Sequence, residues 1–295
     1  GRRSVGRPSG GRALMPQLDF FGLAMLEVVL AGALAGVVGV LVVLRERAFF
    51  TMSLTHATFP GAVAAAMLGV SVPLGAAVAA VALIAVAVGI GRIRSQGPAV
   101  ASGVMLTAGF ALGALLQSLA PLPIDVESFL VGQVLAVTGA DIALTAALLV
   151  VAAAVWALAG RHLVFSSVDE RGYRRAGLAP WVPEALSLAL IAATVVAIMP
   201  VVGAILGVAL IVAPAAAARL VVRDWRWMLV LAPVVGIASG VVGLLASRWL
   251  DIAAGGAIAL VAALLYGAAW IVGGPRDRRP APAPRVRGTI GAETP

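Results

Sequence analysis

Along this chain, long apolar runs alternate with short polar intervals rich in arginine and glycine. The runs fall near residues 20–44, 53–70, 74–91, 98–120, 141–160, 184–199, 201–217, 228–247 and 254–272. Each approaches the roughly 20 residues that a helix needs to cross a hydrocarbon core. As one helix, residues 184–217 would measure about 50 Å against a core of about 30 Å. The pattern therefore predicts a division at Pro200 and a second possible break at Pro214. The predicted fold class is all-α, a polytopic membrane protein of about eight to nine transmembrane helices. No interval between the runs is long enough to hold a soluble domain.

The two ends differ in character. Residues 1–19 read as a disordered basic extension, with Arg2, Arg3, Arg7 and Arg12 among Gly, Ser and Pro, and Met15 is a candidate start of translation. Residues 20–272 form the transmembrane domain, and residues 273–295 a disordered, Pro- and Arg-rich cytoplasmic tail. Counting back from that tail, Arg219 to Arg226, Arg161 to Arg175, Arg92 with Arg94, and Arg45 with Arg47 all fall on the cytoplasmic side. The N-terminus then lies outside, against the four arginines that precede Met15.

Composition agrees: 62% of the 295 residues are hydrophobic and the mean hydropathy is +1.07. The net charge of +8 sits beside the apolar runs and in the tails, which argues for membrane topology and against nucleic acid as a partner. There is no cysteine, so thiolate metal sites and thiol nucleophiles are excluded. All 21 basic residues are arginine, so the chain lacks the lysine of a phosphate-binding P-loop and any ATP-driven process must borrow a partner. No His-Glu-x-x-His helix is present, and Ile237 two positions before Ser239 rules out a Gly-x-Ser-x-Gly elbow.

The stretch Phe49–Gly61 stands out, because it places His56 inside an apolar segment just before Pro60-Gly61. Met52 and His56 are spaced i, i+4 on one helical face, and Pro60 removes a backbone donor. A break at membrane depth marks either a cavity or substrate path, or a kinked packing helix whose histidine bonds a neighbour. Asp125 and Glu127 lie between the fourth and fifth runs, where they form either a cation-attracting pair or a solvated extracellular loop. Asp141 is a third candidate ligand or the N-cap of the next helix. Glu27 lies inside the first run, at a cost of roughly 2.5–3.5 kcal/mol on insertion scales unless it reaches the outer interface. Asp169, Glu170, Arg171, Arg174 and Gly177 shape a short cytoplasmic helix with a stop, fit either to dock a soluble partner or to face anionic lipid. Gly32 with Gly36 and Gly109 with Gly113 have small-xxx-small spacing, and Trp225, Trp227 and Trp249 suit interfacial anchors.

Four separated stretches together resemble the permease subunits of bacterial metal-cation ABC importers of the zinc, manganese and iron type. Val42–Gly61 is similar to that family's arginine-rich turn followed by Gly-Asp-Ala-Leu-Ser-His-Ala, with His56 at the family histidine. Asp125–Asp141 resembles its Asp-x-x-x-Tyr/Phe-Leu-Phe-Gly-x-x-Leu-Ala-Val-x-x-x-Asp segment, Phe165–Leu178 its coupling segment, and Val202–Leu220 its Val-Gly-x-Leu-Leu run ending Ala-Arg-Leu.

The resemblance implies a permease fold similar to that of the cobalamin and siderophore importers, in the bacterial plasma membrane. It also implies a homodimer with the pathway between two copies, a cytoplasmic ABC ATPase dimer, and an extracellular metal-binding protein. ATP hydrolysis would reside in that partner chain, and a divalent metal would pass as substrate with no permanently bound cofactor. One position departs from the motif: Met52 stands where the family has aspartate. A thioether–imidazole pair leans toward zinc over manganese, unless Asp125 or Glu127 replaces the missing carboxylate. The competing expectation is a self-contained ion-coupled carrier or exporter that uses Glu27.

Overall fold

A computed structural model describes residues 17–90, 98–119 and 132–273. The expectations for residues 1–16 and 274–295, and for Asp125 and Glu127, lie outside the described residues. Every element among them is helical. In chain order they are α1 (Gln17–Leu44), α2 (Ala48–Ala57), α3 (Phe59–Met67), α4 (Val72–Ile90), α5 (Pro98–Leu119), a 3₁₀ turn (Val134–Ala136), α6 (Gly139–Val168), α7 (Glu170–Arg175), α8 (Trp181–Val202), α9 (Ala204–Val221), α10 (Trp225–Leu250) and α11 (Ala254–Gly273). Among the described residues, six stretches are long and apolar enough to cross a membrane: Phe20–Leu44, Ala99–Leu119, Gly139–Val168, Trp181–Val202, Trp225–Leu250 and Ala254–Gly273. Val72–Val86 and Leu206–Val221 are shorter apolar helices.

The central helix is α1. Ala24, Val28, Ala31, Leu34, Ala35, Val38 and Leu41 are buried along it, and it packs against α10, α9, α6 and α8. Lipid tails are as apolar as leucine, so such helices associate through close packing rather than water exclusion. The glycines serve that closeness: a Cβ on Gly32 would lie 2.6 Å from the Gly236 carbonyl oxygen, and one on Gly36 would lie 2.5 Å from the Pro233 Cα. Residues spaced as small-xxx-small thus form the α1–α10 crossing. Helices α2 to α5 make a second group, joined to the first where α2 meets α9 and α8 and where α4 meets α8.

Several local expectations are corrected by packing. The chain divides at Gly203, not at Pro200: α8 runs through Pro200 to Val202, and Gly203 takes φ 88°, a left-handed value that glycine tolerates. The Pro200 carbonyl accepts the Gln133 N–H at 3.0 Å, so the loop before α6 docks on this junction. Pro214 sits inside α9 without ending it. Glu27 does not reach an interface; it is fully buried and accepts the Thr145 hydroxyl at 2.7 Å. Trp225 is no free anchor, since it stacks on Trp156 at 5.6 Å, and Trp156 donates its indole N–H to the Val37 carbonyl at 3.2 Å. Trp227 and Trp249 are exposed, as anchors should be.

Candidate functional site

Helix α2 buries Phe50, Thr51, Ser53, Leu54, Thr55 and Ala57. The face that remains open carries Phe49, Met52 and His56, at i, i+3 and i+7, with Met52 41% exposed. The hydroxyls on the buried faces are satisfied within the helix: Thr51 donates to the Arg47 carbonyl at 3.0 Å, Ser53 to Phe49 at 2.8 Å, and Thr55 to Met52 at 2.7 Å. They therefore need no ligand.

The expected break falls at Thr58, which keeps right-handed helical angles between α2 and α3. Pro60 is accommodated in the first turn of α3, where a missing N–H costs least. That N–H would otherwise have served the His56 carbonyl four residues back. The His56 ring meets Phe110 of α5 edge-on at 6.0 Å, and Phe59 stacks on the same ring at 5.8 Å. His56 Nδ1 is buried without a hydrogen-bond partner. A nitrogen lone pair or N–H is thus buried on a ring that meets Phe110, beside an open stripe that also carries a thioether. Helix α5 comes this close because Gly109 and Gly113 face Ala57 and Phe59.

Of the other predicted ligands, only Asp141 lies among the described residues, and it is engaged elsewhere. Asp141 is not the N-cap of α6 but its third residue: Thr138 caps the helix, and Asp141 Oδ2 accepts the Thr138 N–H at 2.9 Å and its hydroxyl at 2.6 Å. Among the described residues, no three His, Cys, Asp or Glu side chains come together as a metal cluster.

The loop after α6 forms the short helix α7. Asp169 caps it by accepting the Gly172 N–H at 2.8 Å, Glu170 pairs with Arg174 at 2.7 Å, and Gly177 at φ 76° ends it. Its buried anchor is Tyr173, against Phe165 at 5.4 Å and His162 at 6.2 Å between ring centroids. Glu170, Arg171, Arg174 and Arg175 all point to solvent.

Two polar centres escaped the sequence reading. One is the Glu27–Thr145 pair between α1 and α6. The other joins Arg45 and Arg47, in the α1–α2 turn, to Glu184 in the first turn of α8. Burial pulls the Arg45 guanidinium below its ordinary pKa, and the Glu184 carboxylate opposes that shift. The available signal was Glu184 itself, an acid at the start of a span whose neighbouring loops are rich in arginine.

Residues 17–273 match the ABC 3 transport family. The chain is 31% identical over 258 residues to the manganese transport system membrane protein MntC of Listeria monocytogenes, which covers 86% of this chain and 91% of that protein. The structure resembles PsaBC from Streptococcus pneumoniae in complex with Fab, with a TM-score of 0.78 and 26% identity over 86% of this chain and 92% of that one. It also shares its fold with an inward-facing putative metal-chelate type ABC transporter, with a TM-score of 0.69 and 16% identity over 91% and 93% of the two chains. The chain belongs to the ABC 3 transport family and is a multi-pass membrane permease subunit.

Proposed function

We propose that this permease imports a divalent transition metal by alternating access, with a separate cytoplasmic ATPase dimer supplying the energy. The observation that carries the reading is the Met52–His56 face of α2, open at Met52 and with the buried, unpartnered His56 Nδ1 beside it, at a helix break between apolar helices. In this reading the polypeptide crosses the membrane nine times, through α1, the α2–α3 pair, α4, α5, α6, α8, α9, α10 and α11. Nine crossings put the arginine-bearing turns and α7 in the cytoplasm and residues 120–131 outside. An extracellular binding protein delivers the ion near Asp125 and Glu127, and Asp141 marks the outer end of α6. Two copies of the chain face each other across the pathway, and lipid covers the remaining apolar surface. The exposed residues of α7 receive the ATPase, through Asp169, Glu170, Arg171, Arg174 and Gly177.

Zinc fits the donors best, since imidazole and thioether are softer than the oxygens manganese prefers. Manganese is the second reading, favoured by relatives such as MntC and the manganese import permease ScaB of Streptococcus gordonii. Binding is transient, so few ligands suffice. The test measures uptake of labelled zinc and manganese, each in competition with the other, in metal-starved cells expressing this chain with its ATPase. His56→Ala should abolish uptake of the transported ion, and Met52→Asp should move the preference toward manganese. Uptake untouched by His56→Ala refutes the pathway.

A further inference from the structure

The turn between α1 and α2 has a geometry that membrane topology does not require. The Arg47 N–H bonds the Val42 carbonyl at 2.9 Å and the Glu46 N–H the Val43 carbonyl at 3.3 Å, while Glu46 adopts φ 55°. This is a Schellman cap with glutamate in the left-handed position that glycine usually fills. The turn sends Arg45 and Arg47, two residues apart, to the same carboxylate. Arg45 donates to Glu184 Oε2 at 2.8 Å and Arg47 to Glu184 Oε1. With its other terminal nitrogen Arg45 donates to the Ser166 hydroxyl at 2.6 Å and the Leu163 carbonyl at 3.3 Å. The Arg45 side chain is 7% exposed. One guanidinium therefore fastens the end of α1 to the last turn of α6 and the first turn of α8.

Both of those turns connect directly to α7. Tyr173 of α7 packs on Phe165, next to Ser166, and the chain leaves α7 through residues 178–180 into the turn where the Glu184 N–H bonds the Pro180 carbonyl at 3.4 Å. On the other side, Arg47 is the N-cap residue of α2 and makes no side-chain capping bond of its own. A cation at a helix N-terminus opposes the helix dipole; the Glu184 carboxylate compensates it there and ties the start of α2 to α8.

We infer that Glu184, gripping Arg45 and Arg47, is the joint through which displacement of α7 reaches α2 and its Met52–His56 stripe. It is a positioning residue, remote from the ion. This inference rests on the ATPase-driven reading proposed above. Without the shared carboxylate, α6 keeps its contacts with α7 and with α8, but α2 loses the charge that anchors its inner end. Coupling between sites is typically worth about 5- to 150-fold.

The test uses the full transporter, permease with ATPase and binding protein, in proteoliposomes. Glu184→Gln should leave basal ATP hydrolysis in place while metal taken up per ATP hydrolysed falls at least about tenfold. Arg47→Gln, which spares the Arg45 contacts, should do the same, and the double variant should lose no more than either single one. The chain has no cysteine, so spin labels at Leu68→Cys and Trp249→Cys, both exposed, report α3 movement against α10. ATP should change that distance in the parent and not in Glu184→Gln. If the parent is ATP-coupled and both variants keep its uptake ratio and distance change, the joint is refuted and the importer reading stands. If uptake by the parent needs no ATPase, the importer reading falls and takes the joint with it.

Discussion

Replacing Gly109 by alanine tests how closely α5 must approach the site. A Cβ at Gly109 would lie 2.6 Å from the Ala57 Cα and 2.7 Å from its Cβ. Carbon atoms attract best at about 3.5–4.0 Å, so the deficit is about 1 Å. The Ala57 Cα is helical backbone and its Cβ is fixed to it, so no side-chain rotation relieves the clash. Overpacking of this kind costs about 1–3 kcal/mol, and backbone contact puts Gly109 near the upper end. Alanine returns about 1 kcal/mol of helix propensity. The net loss is about 2 kcal/mol, which lowers the melting midpoint by about 4–8 °C for a domain of this size. Gly267→Ala is the control, because nothing lies within 4 Å of a Cβ there; propensity alone should raise its midpoint by a few degrees. Because Phe110 follows Gly109, the same displacement opens the 6.0 Å contact between His56 and Phe110, and uptake should fall in the Gly109 variant only. Both are measured on purified protein in nanodiscs and by metal uptake in cells. If Gly109→Ala raises the midpoint as Gly267→Ala does, the close crossing of α2 and α5 is wrong.

Two further outcomes are expected. Thr145→Val removes the donor to Glu27 and leaves a fully buried carboxyl without it, a loss of about 1–3 kcal/mol; adding Glu27→Leu should restore part of the melting midpoint, and a Thr145→Val midpoint equal to the parent would show that the pair carries no stability. Thr138→Ala and Asp141→Asn should each cost about 1 kcal/mol through loss of the capping box while leaving zinc and manganese competition unchanged. A changed metal preference in Asp141→Asn would instead make Asp141 a ligand.

What the chain reveals locally follows from the range of the forces involved. Apolar runs of about 20 residues locate the major helices because the membrane imposes their length. Asp169 and Gly177 delimit α7 because caps act within a turn of their own positions. Proline is legible as a missing donor, but packing decides where the chain gives way. Pro60 sits in the first turn of α3 and Pro200 near the end of α8, while Thr58 and Gly203 mark the junctions. Glycine spacing likewise nominates close helices without naming the partner that comes close. The polar centres were hidden for the same reason. Glu27 and Thr145 stand 118 positions apart and Arg45 and Glu184 stand 139 apart, so each residue had a sufficient local explanation until the fold joined them.

The stripe on α2 shows how far such local reading extends into chemistry. Helical spacing alone puts Met52 and His56 on one face, and burial of six of the ten residues of α2 leaves that face as the open one. One chain supplies a thioether and an imidazole there, and a closed zinc site takes four donors. Under the proposed function, two donors would hold the ion only weakly, which suits a path that must release it. Under the proposed dimer, two facing stripes would offer two imidazoles and two thioethers, a set that fills and empties as the chains part. A carboxylate at position 52 would add negative charge and hard oxygen to both halves at once. Met52→Asp therefore tests more than one ligand: it asks whether the ion is held between two copies, where the change in preference is counted twice.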